Sequence, residues 1–157
     1  SLMKEYKFQI ILGIATDTMD PTGKIISKAT IPNLTKKSIV EALKKFEGEI
    51  KQEPPMYSAL KFNGIPLYKL ARKGVVVKRK LRIINIQSIK LDSFTKNSID
   101  LTVKCGKGTY IRSLARDICY ELGTFGHLSK LERNSIGEYS KKNSIDYNNL
   151  ETCLLNN

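Results

Sequence analysis

Residues 99–123 read IDLTVKCGKGTYIRSLARDICYELG. In the first part Ile99, Leu101, Val103 and Cys105 alternate with Asp100, Thr102 and Lys104. A period of two places every apolar side chain on one face, which predicts a half-buried strand. The Gly-Lys-Gly at 106–108 is a corner, because glycine takes up the backbone angles that other residues avoid. Beyond it Ile111, Leu114, Ala115, Ile118 and Leu122 recur at helical spacing, with Gly123 past the end. One strand, one tight corner and one amphipathic helix thus follow each other within 25 residues.

Upstream, residues 82–91 alternate as Ile84 and Ile86, then as Ile89 and Leu91 in the opposite phase. A slip of one position predicts a bulged strand that pairs with 99–105. Residues 7–12 form another strand, and residues 13–23 (GIATDTMDPTG) a loop between paired strands, rich in the residues of turns. Thr35 is a candidate N-cap for a helix through about Phe46, with Gly48 beyond it. Residues 52–65 hold two prolines and an Asn-Gly step, hence irregular chain and a turn; a short helix runs from Pro66 to Lys73 before Gly74. Leu128 and Leu131 predict a further turn of helix, residues 135–139 a strand, and Asp146 the start of a final helix. The fold class is α+β: a mixed, largely antiparallel sheet flanked by helices, in a single domain over residues 1–157.

Lys plus Arg number 27 and Asp plus Glu 15, a formal net charge of +12. The excess is concentrated. Residues 54–91 contain no acid and nine bases, among them Lys61, Lys78, Arg79 and Lys80, with Tyr57, Phe62 and Tyr68 interleaved. Cations set the affinity for a polyanion and rings offer stacking surfaces for bases, so a nucleic acid is the expected partner. The plainer alternative for the charge is a solvated lysine-rich face, and the alternative to an enzyme is a non-catalytic basic RNA-binding module. Cys105, Cys119 and Cys153 form no Cys-x-x-Cys pair and His127 is the only histidine, which argues against a metal site or a disulfide framework. No apolar run approaches the roughly 20 residues of a membrane span. The protein is therefore expected to be cytoplasmic, and is read as a monomer with no membrane partner.

Five blocks stand in order: KEY at 4–6, LGxxTDTxDxxG at 12–23, PPMYSALKxNGxPLYxLARxG at 54–74, KGTYIRSLAxD at 107–117 and LGxxGHLxxLxR at 122–133. Together they resemble the catalytic domain of the bacterial tRNA pseudouridine synthase B (TruB) family, over roughly residues 4–137. The resemblance implies a pseudouridine synthase-like fold and isomerisation of a uridine in the tRNA T-arm stem-loop to pseudouridine, without metal or organic cofactor. The base must leave its sugar, turn, and rejoin through carbon, inside a pocket into which it has been flipped.

By the same resemblance the catalytic group includes Tyr6, stacking on the flipped base, and Arg112, pairing with the nucleophilic aspartate and the RNA backbone. A guanidinium suits that task because its fork grips carboxylate or phosphate at two points. Asp20 is the expected carboxylate partner of Arg112. Tyr110 and Leu131 are expected to line the pocket, and Tyr57, Lys61, Lys78, Arg79, Lys80 and Lys107 to contact RNA. The family's nucleophilic motif, G-x-L-D-P upstream of K-x-Y, is absent from these residues, and Asp20-Pro21 lies downstream of where it belongs. The chain is accordingly expected to be part of a larger enzyme and inactive alone.

Overall fold

A computed structural model describes residues 3–134 and the two-residue strand Ser144–Ile145. Its centre is an antiparallel sheet. Strand β1 (Lys4–Leu12) runs between β8 (Ser98–Cys105) and β9 (Gly126–Asn134). Outside β8 lie β7 (Arg82–Phe94) and then β4 (Gly48–Gln52); outside β9 lies β10 (Ser144–Ile145). Every neighbouring pair is antiparallel. Two short hairpins stand apart, β2 (Ile14–Thr16) with β3 (Ile25–Lys28), and β5 (Lys61–Phe62) with β6 (Ile65–Pro66). In the second hairpin Asn63 and Gly64 both have positive φ, 51° and 80°, the pairing that a two-residue turn of primed type requires.

Alternation decides which face of the sheet is covered. Tyr6, Phe8, Ile10 and Leu12 of β1 and Ile99, Leu101, Val103 and Cys105 of β8 are all buried in one hydrophobic cluster. Helices α1 (Lys36–Lys44) and α3 (Ile111–Glu121) close it from the same side with Ile39, Leu43, Ile111, Leu114 and Ile118. Thr35 caps α1 as expected: its hydroxyl accepts from Ser38 N at 3.1 Å, and Thr35 N donates to Ser38 Oγ at 2.9 Å. The short helix α2 (Leu67–Arg72) has Pro66 as its cap and so starts one residue later than the sequence suggests.

The bulge in β7 is present: Ile86 pairs with Cys105 but Ser88 with Lys104, leaving Gln87 as the extra residue. Two expectations need correction. Leu128 and Leu131 lie on a strand, not on a turn of helix. Their spacing of three mimics a helix because Gln9 pairs with Lys130 but Ile10 with Leu128, so Ser129 bulges and both leucines face inward. Residues 48–52, where the sequence suggests only Gly48 past a helix end and irregular chain from Gln52, form β4. Its sequence, GEIKQ, lacks an apolar period because it is the outer neighbour of β7 and mostly exposed. The expected strand at 135–139 and helix from Asp146 lie outside the described residues.

Candidate active site at the head of the third helix

The corner between β8 and α3 sets the site. Gly108 adopts φ 86°, and the Thr109 hydroxyl donates to Gly106 O at 2.9 Å. Tyr110, the N-cap, has no side-chain cap of its own. The buried amide of Gln52 holds its backbone on both sides instead, accepting from Tyr110 N at 2.9 Å and donating to Tyr110 O at 3.1 Å. Ser113 Oγ and Arg116 Nη2 both donate to Glu53 O, at 2.8 and 3.3 Å. Residues 52–53 are thereby locked to the first two turns of α3. Gln52 escapes sequence reasoning: nothing in a polar run such as GEIKQEP marks the one side chain that turns inward.

Arg112 follows in the first helical turn and is fully buried. A cation there opposes the helix dipole and sheds its water, so it needs acceptors. Arg112 Nη1 donates to Thr18 O at 3.2 Å and Nη2 to Tyr57 O at 2.6 Å. Three segments that are distant in sequence thus meet on one guanidinium: the Thr16–Asp20 loop, the Pro54–Tyr57 segment and the Lys107–Arg112 corner.

The loop is built around Asp20, whose side chain is fully buried. Its Oδ1 accepts from Thr18 Oγ1 at 2.7 Å, Thr22 N at 3.0 Å and Thr22 Oγ1 at 2.5 Å. Its Oδ2 is buried with no hydrogen-bond partner among the described residues. Thr18 is the link to Arg112, since its carbonyl receives the guanidinium while its hydroxyl serves the carboxylate. Asp17 closes the loop by accepting from Lys24 N at 2.9 Å. Gly23 is required, because a Cβ there would stand 2.3 Å from both Asp17 Oδ1 and Thr18 Oγ1.

Tyr6 lies between Val103 of β8 and Arg133 of β9, and Leu131 lies opposite Phe8. Tyr6 occupies the start of β1, beside the end of β8 from which the corner departs, so it shares the helix-covered face and the sheet end where α3 begins. Burial pushes its hydroxyl pKa up, and the Arg133 guanidinium opposes that shift. Burial likewise raises Tyr110, against Arg82 and Arg112. Tyr6, Asp20, Tyr110, Arg112 and Leu131 are each at most 6% exposed; Arg112 and Asp20 meet through Thr18, while Tyr6 and Leu131 belong to the core of the sheet.

The residues expected at RNA are arranged differently. Lys61, Lys78, Lys80 and Lys107 are exposed, and Tyr57 is half-buried. Arg79 is turned inward: Nη2 pairs with Glu53 Oε1 at 3.1 Å and Nη1 donates to Pro54 O at 3.1 Å. It shares Glu53 with Arg116 at 3.7 Å, on the wall of a cavity of about 520 Å³ that Asp17, Met19, Met56 and Tyr57 also line. His127 serves structure, its Nδ1 lying 2.7 Å from Ile14 O and tying β9 to β2. No helix among the described residues is long and apolar enough to cross a membrane.

The sequence profile described as TruB family pseudouridylate synthase (N terminal domain) matches residues 1–111. The chain belongs to the TruB family. The tRNA pseudouridine synthase B of Francisella philomiragia subsp. philomiragia is 51% identical over 149 residues, 94% of this chain and 49% of that protein. That of Geotalea uraniireducens is 43% identical over 143 residues, 91% of this chain and 46% of that one. The chain therefore spans about half the length of these TruB relatives. Among solved structures, a Cbf5-Nop10-Gar1 complex superimposes with a TM-score of 0.59 and 26% identity, over 89% of this chain and 32% of that chain. A chain of an H/ACA RNP bound to a substrate RNA shares the fold, with a TM-score of 0.53 and 22% identity.

Proposed function

We propose that this TruB-family chain forms part of a tRNA pseudouridine synthase, supplying the arginine and tyrosine walls of a pocket for one flipped uridine of the T-arm. The observation that carries this reading is the convergence of the three motif segments on the buried Arg112. A packing role does not call for a guanidinium at the start of a helix, where the local field disfavours it.

In this account Tyr6 lies against the displaced base and Leu131 and Tyr110 form the walls. Arg112 grips the reacting carboxylate and the adjoining backbone. Asp20 supports it through Thr18, keeping a carboxylate close to the cation. The nucleophile is an aspartate outside these 157 residues, consistent with relatives twice as long. Lys61, Lys78, Lys80 and Lys107 supply phosphate contacts around the entrance, Tyr57 a ring, and Arg79 acts chiefly by fixing the Glu53 corner. The enzyme works in the cytoplasm, where its substrate is, and needs no metal or organic cofactor.

The test is pseudouridine formation on a T-arm hairpin. The 157-residue chain is expected to bind without turnover, and the full-length protein to turn over. Turnover by the short chain would place the nucleophile within it, and an inactive full-length protein would leave only the RNA-binding module.

A further inference from the structure

Arg133 lies on β9 two residues beyond Leu131, directly opposite Tyr6 in the antiparallel register. Opposed residues on neighbouring strands project from the same face, roughly 5 Å apart. The guanidinium and the phenol are therefore neighbours at the sheet end where α3 begins. The field of Arg133 reaches the Tyr6 hydroxyl, acting against the effect of burial.

Arg133 is half-buried, yet among the described residues it makes no hydrogen bond and meets no carboxylate. The two half-buried arginines nearest the site behave otherwise, since Arg79 and Arg116 both pair with Glu53. The acids beside Arg133 in the sheet, Glu5 and Glu132, alternate to the opposite face, and Glu5 already accepts from Asn134 Nδ2 at 3.1 Å. A guanidinium partly stripped of water, with no anion beside it among the described residues, is costly in isolation. It is a ready fork for a phosphate.

We propose that Arg133 binds a phosphate adjoining the target uridine, the nucleotide whose base lies against Tyr6. The separation of opposed residues on adjacent strands is comparable with the sugar that divides a base from its phosphate. Tyr6 and Leu131 are buried, whereas Arg133 is half-buried and so keeps part of its side chain at the surface, where a backbone phosphate can reach it. The inference rests on the tRNA reading given above, and deepens it by naming what the nucleotide's phosphate meets.

The experiment measures affinity of the 157-residue chain and its Arg133→Ala and Arg133→Lys variants for a T-arm hairpin. The phosphates flanking the target uridine are replaced one at a time by neutral methylphosphonates. On unmodified RNA Arg133→Ala is expected to weaken binding about tenfold, the scale of one hydrogen-bonded charge contact. Its salt slope should be shallower by about 0.7–0.9. Arg133→Lys, which keeps the charge but loses the fork, should fall between. On the one RNA whose contacted phosphate is neutral, the three proteins should bind alike. A loss of equal size on every RNA, or no loss on any, would overturn the proposal while leaving the tRNA reading intact. Equal binding of the T-arm hairpin and a scrambled hairpin would overturn both.

Discussion

Cys105 and Cys119 show how far burial governs single residues in this core. Burial pushes their thiols from 9.0 up to about 11 and about 12. The folded state thus holds both protons at a pH where the unfolded chain has released them. Their contribution is complete below pH 9 and is lost as pH rises toward the folded values, at about 1.4 kcal/mol per pH unit for each thiol. Urea midpoints are expected to fall between pH 8 and pH 10, and less so in a Cys105→Ala variant than in the parent; a flat profile would count against the buried thiols. At the site the sequence shows which residues matter by type, because an arginine in a first helical turn and an Asp-Thr-rich loop stand out from packing needs. It cannot show that Arg112 is held by the carbonyls of Thr18 and Tyr57, since backbone acceptors leave no trace in residue identity.

At the scale of elements, legibility follows periodicity. Strand β8 and helices α1 and α3 read directly because each buries one regular face. Strand β9 misleads because a bulge moves its two leucines to helical spacing, and β4 is silent because an edge strand needs little apolar surface. Yet β4 ends in Gln52, which fixes the head of α3. Gln52→Ala would strand the buried Tyr110 N–H, a cost of about 1–3 kcal/mol, while Tyr110 O keeps the bond it accepts from Leu114 N at 3.0 Å. Thermal denaturation should show that loss, and Gln52→Glu should restore it poorly, since it buries a charge and sets a carboxylate oxygen against Tyr110 O where the amide now donates.

At the scale of the molecule, the acid-free stretch 54–91 carries nine of the twelve net positive charges, and the fold divides it into two kinds of residue. Lys78 and Lys80 face solvent, whereas Arg79 between them is used internally by Glu53 and Pro54. Replacing Lys78 and Lys80 by Gln should flatten the salt dependence of RNA binding by about 0.7–0.9 for each lysine that neutralises a phosphate. Folding should be unaffected. Replacing Arg79 should instead lower stability by loosening the corner against α3. An unchanged slope in the lysine variant would remove these two residues from the interface.

In the proposed enzyme Arg112 serves a reacting nucleotide rather than a phosphate in passing. Single-turnover pseudouridine formation and RNA affinity, measured side by side on full-length protein carrying Arg112→Lys, test this directly. The rate is expected to fall by about 100-fold or more, the scale of a lost preorganised donor, with affinity changed only a few-fold. Equal losses in rate and affinity, or an undiminished rate, would contradict it.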